Sequence, residues 1–312
     1  MTLASDIYDG LSARPKRLSS RWFYDTRGSE IFQEIMGLEE YYPTRCEMEV
    51  FRQHAATMAK VFAEEGEFRL LEFGAGDGLK TRLLLDALIA TGVPFSYCPI
   101  DISESALEGL TEALRQEYPS LNIIPLHHDY VSALEAINHL EQMRSVVLFL
   151  GSNIGNFTEA ESLRFLFQLR GELRPGDQLM IGFDLKKDPH TILAAYNDSK
   201  GVTRAFNINL LTRLNRELGA NFDLEGFEHY PTYDPLSGET RSYLVSKRRQ
   251  QVDIPGCDLV VQFEAWEAIW VELSQKFDLA MIRALATRTG FRIEGTYTDS
   301  RNYFVDVIWK ML

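Results

Sequence analysis

A glycine-rich turn at residues 72–78, EFGAGDG, is the first feature of this sequence that suggests chemistry. It follows a short apolar run and places glycines at alternate positions, so a ligand can approach the backbone without meeting a Cβ atom. A dinucleotide fingerprint would read G-x-G-x-x-G, whereas here the third glycine comes two positions after the second and follows an acid. This variant favours S-adenosylmethionine over NAD, although a purely structural turn would carry the same pattern.

Two further acids stand where neighbouring strands are expected to end. Asp101 ends the second strand, where its carboxylate can accept hydrogen bonds from both ribose hydroxyls of a nucleotide. Asp129 follows the third strand and can accept the adenine amino proton, with Tyr130 beside it as an aromatic surface for the ring. Each aspartate alone fits a cap or turn equally well, but three strand-end signals in this order predict a site for a nucleotide cofactor.

Other catalytic patterns are weak in this sequence. His127, His128 and Asp129 are adjacent, so in a strand their side chains alternate between faces, and no third ligand group has recognisable spacing. We therefore expect no metal. The sequence has no G-x-S-x-G and no cysteine in a nucleophile motif, so covalent catalysis is not expected either.

Alternating strands and helices must position these residues. Leucines at helical spacing follow the glycine turn, and strongly apolar strands recur between helices, which indicates a parallel sheet covered on both faces. A final pair of strands around residues 299–302 predicts an antiparallel hairpin. The predicted strands are 68–73, 95–100, 122–126, 145–150, 178–183, 291–297 and 303–310, and the predicted helices are 80–90, 103–118, 159–173, 191–196, 202–218 and 277–289.

Two stretches fall outside this alternation. Residues 1–50 are predicted to be helical and loop-like, and residues 190–276 carry helices followed by β-rich segments around a turn at 234–239. We assign both stretches to one discontinuous domain. The predicted domains are 50–188 with 277–312 for a cofactor-binding core and 1–49 with 189–276 for substrate recognition.

Composition and charge restrict the class of partner. The chain has 312 residues and a net charge of -13, which repels a phosphate backbone. Its three cysteines lie far apart without a CxxC pair, and no apolar run approaches the ~20 residues of a membrane span. The first residues also lack the apolar stretch of a signal peptide. We expect a cytoplasmic monomer whose partner is a small molecule, with no nucleic acid and no membrane partner.

Several longer motifs resemble the histidine-specific Nα-methyltransferases of ergothioneine biosynthesis. The resemblance covers nearly the whole chain, and YYPTR and FLGSxIGN are specific to that family and its near relatives. The fold that it implies is α/β, a class I S-adenosylmethionine methyltransferase with a Rossmann-like doubly wound sheet and a second, discontinuous substrate-recognition domain. The matching segments are RWFYD at 21–25, YYPTR at 41–45, FLGSNIGNF at 149–157, DLKKDP at 184–189, AAYND at 194–198, GVTRAFN at 201–207 and ELSQKF at 272–277.

Carried over position by position, the resemblance implies two sets of contacts. Contact with S-adenosylmethionine, as co-substrate, is implied for Tyr24, Gly74, Lys80, Asp101, Asp129 and Tyr130. In the substrate set, the catalytic pair Tyr41 and Asn156 would hold the amine, and Tyr196 together with Asn156 would hold the carboxylate. The imidazole would be surrounded by Thr203, Glu272 and Ser274, and the lining would be completed by Gly151 and Ser242.

The implied reaction is trimethylation of L-histidine at its α-amine to give hercynine. Ser242 departs from the family, whose members carry a methionine over the imidazole at this position, and so leaves the packing around the substrate open. One alternative is therefore methylation of another free amino acid or amine by the same fold. A second alternative, from a different class, is a non-catalytic partner protein that binds the cofactor without turnover.

Each substrate residue also has a structural alternative. Tyr41 and Tyr196 fit aromatic positions of a core, and Asn156 fits a helix cap after a strand. Glu272 fits one half of a surface ion pair with Lys276 at i,i+4. The shared Glu-x-Ser motif at 272–274 favours the binding role for Glu272.

Overall fold

The structure is a computed structural model that describes residues 2–128, 130, 132–133 and 143–312. Backbone contacts divide the chain into two compact units, each with more than one segment of sequence. The first unit comprises Met1–Tyr42 and Lys187–Gln275, and the second comprises Pro43–Lys186 and Lys276–Leu312. Helices and strands are numbered below in chain order along the whole chain.

The second unit contains a mostly parallel sheet that confirms the predicted doubly wound fold. Among the described residues the sheet has eight strands in the order β13-β14-β7-β6-β2-β3-β4, with β5 also paired to β3. Only β14 runs antiparallel to its neighbours β7 and β13 in this part of the chain. The strands are β2 (Phe68–Phe73), β3 (Phe95–Asp101), β4 (Asn122–Ile123), β5 (Leu126–His127), β6 (Ser145–Phe149), β7 (Gln178–Asp184), β13 (Phe291–Thr298) and β14 (Phe304–Met311).

Helices cover both faces of this sheet, because successive strand side chains alternate between two apolar clusters. Leu71 and Phe73 of β2 belong to one cluster, while Phe68 and Leu70 of the same strand belong to the other. Ser103 caps the helix after β3 by accepting a hydrogen bond from the Ala106 amide. The helices are α3 (Tyr42–Ala63), α4 (Leu79–Thr91), α5 (Glu104–Glu117), α6 (Glu159–Glu172) and α9 (Leu279–Arg288).

The third predicted strand is wrong in one detail. In place of a continuous strand at 122–126, the structure has the two short strands β4 and β5, both parallel to β3. Pro125 lies between them and has no amide proton to donate, so the ladder of hydrogen bonds is interrupted there. The terminal hairpin at 291–310 is confirmed, with both strands ending one residue later than predicted.

The first unit is built on a mostly antiparallel sheet, in which only β1 pairs in parallel among the described strands, and the inner face of the sheet packs against a long helix. Phe206, Leu210 and Leu214 of that helix share an apolar cluster with Phe227 and Leu244 of the sheet. Residues 1–50 also contribute a strand of two residues, β1, that the sequence did not predict. The strand order is β1 (Lys16–Arg17), β12 (Ala268–Gln275), β9 (Glu239–Ser246), β8 (Phe227–Tyr233), with a separate hairpin of β10 (Gln250–Ile254) and β11 (Leu259–Phe263), and the helices are α1 (Leu3–Ser12), α2 (Thr26–Met36), α7 (Pro189–Tyr196) and α8 (Val202–Leu218).

Helix length and hydropathy also bear on membrane insertion. Across the described ranges, no helix is both long and apolar enough to cross a bilayer.

Candidate functional site

The glycine turn after β2 has the backbone geometry that only glycine adopts readily. Gly74, Gly76 and Gly78 have φ angles of 69°, 54° and 64°, all in the left-handed region. A Cβ atom on Gly74 would come within 3.2 Å of both the Tyr130 hydroxyl and the Asn153 side-chain nitrogen. The Tyr130 hydroxyl and the Asn153 side-chain amide therefore lie close to the exposed backbone of Gly74, as expected of a turn that holds a polar ligand.

Asp101 lies at the end of β3, beside this turn. Its carboxylate accepts one hydrogen bond from the Gly76 amide at 3.0 Å and another from the Ser103 amide at 2.9 Å. A carboxylate has about four acceptor positions, so two remain for hydroxyl donors. The side chain is only partly buried, and its chemistry fits the diol of a ribose.

Tyr130 belongs to an aromatic cluster of the second unit. Its ring lies edge-on to Phe73 and Phe149, with ring centroids 5.7 and 5.2 Å away. Burial raises the pKa of the Tyr130 phenol, and the charge of Asp101 raises it further, so the hydroxyl stays protonated at neutral pH. Its neighbour Asp129 lies outside the described residues, so its predicted contact with adenine stays a prediction.

Lys80, in the first turn of α4, forms an ion pair with Glu47 of α3. Burial alone would lower the pKa of the Lys80 ammonium, but the negative charge of Glu47 raises it. The second oxygen of Glu47 accepts the Gly151 amide at 2.7 Å. Glu47 was missed in the sequence, because it lies 33 residues before Lys80 and only the fold brings them together.

Glu72, the last acid before the glycines, is buried and holds its proton to an unusually high pH. Burial raises the pKa of its carboxyl from 4.5 to about 7, against hydrogen bonds from Tyr97 and Thr81 that favour the charged form. The folded chain therefore binds this proton between pH 4.5 and about 7, where the unfolded chain has released it. Glu72 consequently makes the fold less stable as the pH rises through that window.

We expect Glu72→Gln to reduce this loss of stability. One pKa unit corresponds to about 1.4 kcal/mol. Between about pH 5 and pH 8, the wild type should therefore lose up to roughly 3 kcal/mol more of its free energy of unfolding than the variant does. Urea unfolding at the two pH values measures the difference. Glu65→Gln is the matched control, because Glu65 pairs with Lys310 near the surface and its pKa is lowered. Equal pH dependence in wild type and Glu72→Gln would contradict the assignment.

The loop after β6 presents Gly151 and Asn156. Gly151 has a φ of 70°, and the Ser152 hydroxyl accepts the Asp184 amide at 3.0 Å, which holds the loop against β7. Asn156 ends a short 3-10 helix, is exposed, and makes no side-chain hydrogen bond to another described residue. Thr158, not Asn156, caps α6. The side chain of Asn156 is thus free of the capping role considered for it.

In the first unit, two predicted substrate residues lie opposite each other on neighbouring strands. Glu272 of β12 is paired with Ser242 of β9, and the Ser242 hydroxyl donates to the Glu272 carboxylate at 2.8 Å. Ser242 is fully buried, whereas Glu272 is half-buried. A helical i,i+4 pair of Glu272 with Lys276 does not apply, because Glu272 lies in a strand.

A second pair of predicted substrate residues adjoins the first. The Tyr196 hydroxyl donates to Ser274 at 2.7 Å, and Ser274 follows Glu272 by two residues of β12, so both side chains face one side of the strand. The Thr203 hydroxyl is buried next to the Asp198 carboxylate, which accepts a hydrogen bond from the Thr203 amide at 2.7 Å. The hydroxyl and the amide of Thr203 both help to lower the pKa of Asp198.

His229, which no sequence motif singles out, lies against the backbone of Tyr196. One ring nitrogen lies 2.9 Å from the Tyr196 carbonyl oxygen, and burial lowers the pKa of the imidazole. The strand pattern of β8 places His229 on the buried face but does not reveal this contact, which joins residues 33 positions apart.

Tyr24 and Tyr41 lie in an aromatic group of the first unit. Both pack edge-on against Phe32, at ring-centroid distances of 5.5 and 6.2 Å, and Tyr24 also contacts Phe206. Both tyrosines remain partly exposed. The packing is compatible with a core role and with a binding role, so the roles predicted for them stay predictions.

Comparison with known proteins places the chain near a group of methyltransferases. A family model described as "Histidine-specific methyltransferase, SAM-dependent" matches residues 3–311. Histidine N-alpha-methyltransferase of Mycolicibacterium smegmatis is 38% identical over 302 residues, covering 97% of this chain and 92% of the relative. The protein of the same name from Mycobacterium tuberculosis is 38% identical over 304 residues, covering 97% and 93%. Ergothioneine biosynthesis protein 1 of Neurospora crassa is 30% identical over 95% of this chain, which spans 33% of that longer protein.

Proposed function

Because the chain belongs to the S-adenosylmethionine-dependent, histidine-specific methyltransferases, we propose that it trimethylates the α-amine of L-histidine to give hercynine. The observation that carries this proposal is the carboxylate of Glu272, held by Ser242 in the first unit and two residues from Ser274. An imidazole N–H requires an acceptor, and a carboxylate supplies a charge-assisted one.

The residues proposed to bind the cofactor have side chains or backbone suited to its separate parts. S-adenosylmethionine supplies a sulfonium methyl group that is already activated for transfer, so the protein mainly has to bind and orient. Asp101 would accept hydrogen bonds from the ribose hydroxyls, and Gly74 would let the cofactor approach the backbone closely. Lys80 would place its positive charge beside an acidic group of the cofactor. The full set proposed for the cofactor is Tyr24, Gly74, Lys80, Asp101, Asp129 and Tyr130.

The amine of the substrate must lose its proton before it can attack. Removal of an ammonium group from water lowers its pKa, so a dry pocket favours the reactive amine. Tyr41 and Asn156 would then orient the nitrogen lone pair by hydrogen bonds. A trimethylated product has no N–H left to donate, and the aromatic face of Tyr41 would attract its positive charge.

The remaining residues would hold the two ends of the amino acid. Tyr196 and Asn156 are assigned to the carboxylate, and Thr203, Ser242, Glu272 and Ser274 to the imidazole, with Gly151 lining the substrate.

We further propose a division of labour between the two units. The second unit would supply the proposed cofactor residues other than Tyr24, and the first would supply the residues proposed for the imidazole. The protein would act as a cytoplasmic monomer on a free small molecule, without a metal and without a nucleic-acid or membrane partner.

Methylation of another amino acid or amine is the nearest alternative, because Ser242 stands where the family carries a methionine. A panel of free amino acids with S-adenosylmethionine, analysed by mass spectrometry for one, two or three added methyl groups, tests the proposal. Histidine should be the preferred substrate and should reach the trimethylated mass. Preference for another amine would replace histidine as the substrate, and cofactor binding without any methylated product would indicate a non-catalytic binding protein.

Asn156→Ala should separate substrate binding from cofactor binding. Asn156 is exposed and outside the capping box of α6, so its loss should leave the fold intact. We expect at least an approximately tenfold loss of kcat/KM for histidine and less than an approximately threefold change in S-adenosylhomocysteine affinity. Steady-state kinetics and calorimetry measure the two effects. Equal losses in both would mean that Asn156 only supports the loop.

A further inference from the structure

Several ionisable side chains of the second unit form a buried cluster near the Gly151 loop. Glu47 of α3 and Asp306 of β14 are 1% and 0% exposed, and Lys80 of α4 is 22% exposed. Glu72 at the end of β2 adds a fourth group whose charge acts on Lys80. Burying charges is costly unless they are paired, so this cluster demands an explanation beyond packing.

Glu47 is the centre of this cluster because both of its carboxylate oxygens are used. Oε2 pairs with the Lys80 ammonium, and Oε1 accepts the Gly151 amide at 2.7 Å. A Cβ atom on Gly182 of β7 would lie 2.6 Å from the same Oε1, so a glycine leaves room for the carboxylate against this strand. Gly182 is paired with Asp306 of β14, so the second buried acid lies on the neighbouring strand at the same level.

Glu47 is the acid of this cluster that forms the ion pair with Lys80. Neither oxygen of Asp306 has a hydrogen-bond partner among the described residues, and burial together with the charge of Glu47 raises its pKa well above the usual range. Burial likewise raises the pKa of Glu72 to about 7. Two hydrogen-bond donors, the Lys80 ammonium and the Gly151 amide, therefore face Glu47, whereas no donor among the described residues faces Asp306.

We propose that Glu47 is a positioning residue of the methyl-transfer site, which fixes the Lys80 ammonium with one carboxylate oxygen and the Gly151 amide with the other. The proposal rests on the proposed function, in which Lys80 contacts the cofactor and Gly151 lines the substrate. One buried carboxylate thereby sets the position of a cofactor contact and of a substrate contact within the same unit.

The positioning follows from the nature of the two groups that Glu47 holds. A lysine side chain is long and rotatable, so an unpaired Lys80 ammonium would sample several rotamers or withdraw towards solvent. Gly151 has a left-handed backbone and no side chain, so its amide hydrogen bond is the contact that anchors this point of the loop to α3. Loss of Glu47 should therefore weaken ligand binding even where the fold survives.

Glu47→Gln tests the contact between Glu47 and Lys80, and Asp306→Asn is its matched control. Glutamine keeps an oxygen for the Gly151 amide but removes the charge opposite Lys80. We expect S-adenosylhomocysteine to bind the Glu47→Gln protein at least about tenfold more weakly, and KM for histidine to change by a smaller factor. Asp306→Asn changes a buried acid that has no hydrogen-bond partner among the described residues, and it should leave cofactor affinity within about threefold.

Calorimetry with S-adenosylhomocysteine, thermal melting and steady-state kinetics decide the outcome. A lower melting temperature with unchanged ligand affinity in Glu47→Gln would overturn the proposal, because the pair would then be structural only. Equal losses of affinity in Glu47→Gln and Asp306→Asn would overturn it as well. Should Glu47→Gln not fold, Glu47→Asp keeps the charge but shortens the reach, and it must still weaken binding if Glu47 positions Lys80. Wild-type protein that binds the cofactor product but does not methylate histidine would refute the proposed function while leaving this binding comparison valid.

Discussion

Replacing Glu272 with alanine is expected to lower kcat/KM for histidine by about 30-fold to several-thousand-fold. This range corresponds to the approximately 2–5 kcal/mol that is lost when one partner of a buried charged hydrogen bond is removed. Affinity for S-adenosylhomocysteine should change by less than about threefold, because the proposed cofactor residues other than Tyr24 belong to the second unit. The measurements are steady-state kinetics with histidine and calorimetry with the cofactor product.

The structural reason is the way that β12 and β9 hold the Glu272 carboxylate. Ser242 donates to Oε2, so one oxygen is fixed by a fully buried hydroxyl. The Trp270 indole donates to the Glu272 carbonyl at 2.7 Å, next to the irregularity in strand pairing between Trp270 and Glu272. Both the backbone and the side chain of Glu272 are therefore restrained, as expected of a residue that selects a substrate.

Selectivity should change together with rate. Phenylalanine and tryptophan leave the carboxylate unpaired in wild type, so removal of the charge should reduce discrimination against them. Ser242→Ala is the matched variant, since it removes one hydrogen bond to Glu272 but keeps the charge, and it should cost about tenfold or less for histidine. If histidine keeps its full preference over phenylalanine and tryptophan in Glu272→Ala, the carboxylate does not recognise the imidazole.

The second unit is largely predictable from the sequence because its signals are local. The strand at Phe68–Phe73 has the bounds that the apolar pattern predicts, and in the first unit the same holds for the helix at Val202–Leu218. Ser103 caps α5 as its position suggests. The glycine turn follows from residue type alone, since all three of its glycines have positive φ.

The contacts that complete the site depend on long-range packing and escape such patterns. Glu47 lies in the second turn of α3, where an acid normally faces solvent, yet it contacts Lys80 and Gly151, which are 33 and 104 residues away in the sequence. Asn153, whose side-chain nitrogen approaches Gly74, belongs to the FLGSNIGNF motif, so that motif was the available signal. The hydrogen bond from Ser242 to Glu272 depends on strand register, which the bulge in β12 shifts.

Asp101→Ala should weaken S-adenosylhomocysteine binding by at least about tenfold. Each hydrogen bond from a ribose hydroxyl to the charged carboxylate contributes about 1.5–3 kcal/mol, and two such bonds are expected. The substitution also removes the acceptor for the Gly76 and Ser103 amides, so a loss of affinity alone would not separate ribose binding from support of the turn. Thermal melting without ligand measures the contribution to the turn.

A comparison with a cofactor product that lacks one ribose hydroxyl separates the two roles of Asp101. If the carboxylate accepts a hydrogen bond from that hydroxyl, the deoxy ligand should bind the wild-type protein about tenfold more weakly than the full ligand does. The Asp101→Ala protein should bind both ligands with nearly equal affinity. The losses from the substitution and from the missing hydroxyl are then not additive, because both remove the same hydrogen bond. Additive losses would show that Asp101 acts only through the Gly76 and Ser103 amides, and the ribose would have to find its acceptor elsewhere.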